Sequence, residues 1–194
     1  GGEYRNRRGA GGAEHEMTRR AWLGAAGLAG CTKRSALPVM QTVPAFSLVD
    51  QTGAAFDGSR LSGKIWVANF MFTSCTATCP RQSTILQRVQ KETAVDLVSF
   101  TVDVARDTPE VLAAFAERYG ADLARWHFLT GTVETLNRLA YDVFQVGTVD
   151  GKLEHSSRLL LVDAKRAYRG NYPTSGEESI NRLLADIKQL EKET

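Results

Sequence analysis

Eight residues from Ile65 to Phe72, IWVANFMF, carry seven apolar side chains and one polar one, Asn69. A strand with one face in water alternates apolar and polar residues, whereas an unbroken run rich in β-branched and aromatic residues is covered on both faces. This run therefore predicts a central strand with helices packed above and below it. VDLVSFTVD, from Val95 to Asp103, predicts a second buried strand of the same kind. Further strands are expected near Ala45 to Val49, in WHFLTG from Trp126, and in SRLLLVD from Ser157, with AYRGNY pairing with the last across the DAKR turn.

Helical patterns fall between these runs. Pro80 suits a helix's first turn, where no N–H is needed, and Ile85, Leu86 and Val89 form an apolar stripe after it. Cys79 is thus expected to open a helix. Asp107 with Glu110 three residues on resembles a capping box for a helix over about Thr108 to Tyr119. Val133, Leu136, Leu139, Ala140 and Val143 mark a third helix, and Ile180, Leu183, Leu184 and Ile187 a last one. The alternation predicts an α/β fold with a central mixed sheet flanked by helices and closed by a hairpin and a helix. Ligands of such sheets bind beyond the carboxyl ends of the strands, where the loop after Phe72 and Asp103 are both placed.

The N-terminus reads differently. Residues 1–16 lack apolar periodicity and are expected to be a disordered or non-native leader. From Met17 an arginine pair, a short apolar run and LAGC, ending at Cys31, form a signal peptide over 17–30. The run is shorter than the roughly 20 residues that a membrane span requires. LAGC resembles a bacterial lipobox, which would acylate Cys31 and make it the mature N-terminus, and TRRAWL resembles a twin-arginine export signal. Residues 31–43 are then a tether, and 44–194 one domain. Removing residues 1–30 leaves 19 basic and 19 acidic residues of the 24 and 22 in the whole chain, a balance that gives no basic surface for nucleic acid.

FTSCTATCP places Cys75 and Cys79 four apart at the expected helix start. A helix N-terminus favours thiolates, so the pair could form a structural disulfide, a redox dithiol or two soft metal bonds. Closing so short a loop restricts the unfolded chain little, which weighs against a purely structural disulfide. A closed zinc site would want four protein ligands; two thiolates with one imidazole suit copper. The chain has three histidines. His15 precedes the signal peptide, His127 lies in a strand-like run and reads as packed, and His155 in LEHSSRLLLVD stands just before a buried strand.

FMFTSCTATCP, FTVDVARDTPEVL and LEHSSRLLLVD, in that order and spacing, resemble the Sco/SenC family of copper chaperones for cytochrome c oxidase assembly. The resemblance covers roughly Val43 to Lys188. It implies a thioredoxin-like fold and Cu(I) or Cu(II) held by Cys75, Cys79 and His155, with Asp103 beside the metal. It also implies a redox-active Cys75–Cys79 pair, delivery of copper to the dinuclear site of cytochrome c oxidase subunit II, and exchange with other periplasmic copper chaperones or thiol reductants. The expected location is the bacterial envelope, with the domain outside the cytoplasm and held to the membrane by lipidated Cys31. Many relatives carry proline after the first cysteine and in the stretch after the aspartate; here Thr76 and Val104-Ala105 stand instead. A thiol-disulfide oxidoreductase acting on the same target is the competing reading, although thioredoxins space their cysteines by two residues, and a peroxiredoxin would want proline where Phe72 stands.

Overall fold

A computed structural model describes residues 36–76, 78–147, 149 and 157–193. Eight strands form one sheet: β1 (Gln41–Thr42), β2 (Ser47–Asp50), β3 (Ala55–Asp57), β4 (Trp66–Met71), β5 (Asp96–Thr101), β6 (Trp126–Thr130), β7 (Arg158–Val162) and β8 (Ala167–Pro173). Their order across the sheet is β1-β8-β7-β4-β5-β6-β2-β3. β4, β5 and β6 run parallel, and the pairs outside them are antiparallel. Every residue of β4, β5 and β6 is buried, as the apolar runs predict.

Helices α1 (Cys79–Glu92), α2 (Pro109–Arg118) and α4 (Glu177–Glu191) cover one face, where Leu86, Leu112 and Ile187 pack with Val67, Met71, Leu97 and Phe128. On the other face α3 (Val133–Asn137) continues into a π-helical turn over Arg138–Val143, and Leu136, Leu139 and Phe144 pack on Trp66, Phe70 and Phe100. Strand alternation divides the two cores: Trp66, Ala68 and Phe70 face one, Val67 and Met71 the other. This is the mixed, helix-flanked sheet of the expected thioredoxin-like class.

Two boundaries differ from the sequence reading. Gln41–Thr42, expected within the tether, pairs with Tyr168 and Ala167 at the edge of the sheet. Just before it, the carbonyls of Leu37 and Pro38 accept hydrogen bonds from buried Arg169, which is itself paired with Asp163 at 2.5 Å. The second difference is the start of α2. Its N-cap is Thr108, whose hydroxyl accepts from the Val111 N–H, and Pro109 opens the helix. Asp107 is not the cap; its carboxylate points to the loop after β4.

Candidate metal centre

The loop that carries the cysteines leaves the C-terminal end of β4. Its base is continuous with β5, since Met71 pairs with Thr101 and the Val102 N–H donates to the Met71 carbonyl at 2.8 Å. Cys75 follows the strand by four residues, and its N–H returns to the Phe72 carbonyl at 3.2 Å. Cys79 begins α1, with Pro80 behind it. The spacing of four does not put both cysteines in the helix: Cys75 stays in the loop, and the helix's first residue turns its N–H onto the Cys75 sulfur at 3.4 Å. Thr78 Oγ1 lies 3.9 Å from the same sulfur.

Both residues are thiols. Cys75 is half-buried and Cys79 fully buried. The N-terminus of α1 was expected to lower the Cys79 pKa. Burial instead pushes this thiol up to about 12; a hydrogen bond with the Phe72 backbone opposes the rise, while Cys75 and the buried Asp107 carboxylate add to it. The amide that α1 offers goes to Cys75, not to Cys79.

Asp107 is the residue that the capping pattern misplaced. It is wholly buried and accepts from the Thr73 N–H at 3.1 Å and from the hydroxyls of Thr73 and Thr101, each at 2.5 Å. One carboxylate thus joins the cysteine loop to the end of β5. A second buried chain anchors α1 one turn below Cys79. Asn69 Nδ2 donates to Gln82 Oε1 at 3.3 Å, Ser99 Oγ donates to Asn69 Oδ1 at 2.7 Å, and Trp126 Nε1 donates to Ser99 Oγ at 3.0 Å.

Asp103 stands at the same end of the sheet, just beyond β5, with little exposure. Its carboxylate meets exposed Arg106 at 3.0 Å. His127 is away from the cysteines, as its strand-like context predicts: it is buried in β6 with its ring 4.9 Å from that of Phe56. His155 and Cys31 lie outside the described residues. Among the described residues no three His, Cys, Asp or Glu side chains converge as a metal cage. What they bring together is a pair of soft sulfur donors, which suits a soft cation that accepts few ligands.

The SCO1/SenC family model matches residues 35–192. The chain belongs to the SCO1/SenC family. A SCO1/SenC family lipoprotein from Bacillus anthracis is 31% identical, with a TM-score of 0.71 over 78% of this chain and 95% of that one. BsSco, a member of the Sco family of cytochrome c oxidase assembly proteins in which a disulfide switch was identified, is 25% identical, with a TM-score of 0.71 over 82% of this chain and 99% of its own. A Stutzerimonas stutzeri protein named for copper binding is 31% identical over 169 residues, which is 80% of this chain and 81% of that relative. The family match starts eight residues before Val43, where the motif resemblance begins, and so takes in Leu37, Pro38 and β1 of this Sco/SenC domain.

Proposed function

We propose that this Sco/SenC chain is a copper-binding metallochaperone that serves cytochrome c oxidase assembly and passes its metal to the dinuclear copper site of subunit II. The observation that carries this reading is the juxtaposition of two thiols beyond the C-terminal end of β4, with the Cys79 N–H on the Cys75 sulfur. Cys75 and Cys79 hold the cargo and His155 supplies the imidazole, with Asp103 beside them. Two thiolates suffice for Cu(I), while Cu(II) gains more from the nitrogen. Binding displaces protons from the sulfurs, and at Cys79 it does so against the burial that pushes this thiol up.

The domain works on the outer side of a bacterial membrane, anchored through lipid on Cys31, where other copper chaperones and thiol reductants reach it. No helix among the described residues is long and apolar enough to cross a membrane. The B. anthracis relative is named a lipoprotein, which supports the lipobox reading of LAGC.

A second reading, a thiol-disulfide oxidoreductase for the same target, draws on the same juxtaposed thiols and on the disulfide switch of BsSco. One set of variants separates the two. The reduced domain should bind one copper per chain under anaerobic conditions, and Cys75→Ser and Cys79→Ser should each abolish tight binding. His155→Ala should keep Cu(I), lose the sulfur-to-copper absorption of the Cu(II) form and fail in oxidase assembly, while leaving disulfide exchange within about tenfold of wild type. Intact oxidase assembly with collapsed disulfide exchange in His155→Ala would overturn the chaperone assignment.

A further inference from the structure

Asp107 is a fully buried carboxylate to which the metal-binding reading assigns no role, although it sits beside the loop that carries both sulfurs. Its three donors come from two places. Thr73, two residues before Cys75, gives its N–H and its hydroxyl; Thr101, the last residue of β5, gives its hydroxyl. Burying a carboxylate is costly unless such donors satisfy it, and charge-assisted bonds of this kind are the strong ones. The arrangement therefore ties an irregular loop to the rigid parallel centre of the sheet. Directly beyond the loop, α1 is tied in turn by the Asn69–Gln82 contact. The stretch that contains Cys75 and Cys79 is thus held at both ends, at Thr73 and at Gln82.

We propose that Asp107 is a positioning residue for the thiol pair: by fixing Thr73 to Thr101 it holds Cys75 over the N-terminus of α1, so that both sulfurs are presented together without a search by the loop. The inference rests on Cys75 and Cys79 as the working pair and extends the proposed function to a residue that touches neither metal nor sulfur. Its physical basis is preorganisation. A loop that is already ordered does not lose that freedom when the two sulfurs are joined, by a cation or by each other.

The hydrogen-bonding and charge contributions of Asp107 can be separated. In Asp107→Asn one oxygen remains as acceptor and the new NH2 can donate to a threonine hydroxyl, which reverses its own role. The tie is kept and the charge is lost. Asp107→Ala loses both. Thr73→Val keeps the carboxylate, Thr101 and the Thr73 N–H, and removes one hydroxyl bond.

The test reads the metal-free protein first. Reduced domain is equilibrated with oxidised glutathione; Cys75 and Cys79 lose two electrons and two protons and form their disulfide, and one glutathione disulfide becomes two glutathione thiols. The equilibrium constant reports how well the pair is prepositioned. Asp107→Ala should lower it at least about tenfold and Thr73→Val about threefold, with Asp107→Asn within about threefold of wild type. Cu(I) affinity, from competition with a chelator, should follow the same order. Far-UV circular dichroism and the urea midpoint identify variants that have lost the fold, and should Asp107→Ala be one of them, Thr73→Val carries the test. An unchanged equilibrium in a folded Asp107→Ala, or in Thr73→Val, overturns the proposal. So does an Asp107→Asn as impaired as the alanine variant, since charge and not the tie would then be what matters. If the disulfide equilibrium follows the expected order while wild type binds no copper, the positioning role stands and the chaperone reading falls.

Discussion

Asn69 is the single polar residue of the run IWVANFMF, and its replacement by leucine is the perturbation with the most informative expected outcome. The two side chains branch at the same carbon, so Asn69→Leu opens little cavity. It removes the donor from Gln82 Oε1 and the acceptor from the Ser99 hydroxyl, which still accepts from Trp126 Nε1. Each buried group deprived of a partner costs about 1–3 kcal/mol, and the added apolar surface of leucine returns up to about 2 kcal/mol. With both groups at the middle of that range, about 4 kcal/mol together, and about 1–2 kcal/mol returned by leucine, the net loss should be about 2–3 kcal/mol. At about 2–4 °C per kcal/mol for a domain of this size, Tm should fall by roughly 4–12 °C. Asn69→Leu/Gln82→Leu removes both ends of the Asn69–Gln82 contact, so its loss should fall about 1 kcal/mol short of the sum of the two single losses. Urea denaturation of wild type, both single variants and the double closes the cycle. An Asn69→Leu loss below about 0.5 kcal/mol, or strict additivity in the double, would refute the view that this polar chain fixes α1 on the sheet.

Two further outcomes follow from burial. Cys75, half-buried, should be carboxymethylated at least about ten times faster than Cys79, which is buried with its thiol pushed up to about 12; peptide mass spectrometry of a timed reaction checks this, and equal rates contradict the geometry. Burial, helped by the Arg60 charge, also holds His127 below its ordinary value of 6.5. The unfolded chain therefore takes up this proton first. The His127 contribution is complete above about pH 6.5 and declines as pH falls from there towards the folded-state value. Urea midpoints in that window should decline less in His127→Gln than in wild type, and equal slopes would contradict a neutral buried imidazole.

The long strands and helices were legible because each repeats a pattern several times. β4, β5 and β6 are apolar throughout, and α4 places Ile180, Leu183, Leu184 and Ile187 on one buried stripe. β1 and β3 escaped because two or three residues hold no period; they are strands only through pairing with β8 and β2. The stripe of Leu136, Leu139, Ala140 and Val143 marks a helix but not its widening into a π-turn, which leaves the same residues facing the core. At the candidate site, the placement of Cys75 and Cys79 around the start of α1 was legible from their spacing and from the proline that follows them. How the two sulfurs differ was not, because depth depends on Met71, Leu86 and the other residues packed around Cys79, which come from separate parts of the chain.

Asp107 and Asn69 show why the supports of the pair were harder to read than the pair itself. Locally, Asp107 followed by Glu110 has an ordinary helix-start pattern, and Thr108-Pro109 offers an equally good start one residue later. Propensity cannot choose between them. Thr73 and Thr101 choose: with both hydroxyls and an N–H directed at one point, the carboxylate turns to them, and the cap passes to Thr108. The same logic applies to Asn69, whose amide is explained only by Gln82 on a helix and Ser99 on the next strand. In both cases a polar side chain buried against local expectation is hydrogen-bonded to the cysteine loop or to α1, through a partner that lies on another element of the fold. A polar residue inside a strand otherwise read as wholly apolar, next to a candidate site, thus carries its own signal: the core has accepted a buried amide whose hydrogen bonds hold the site's supporting helix.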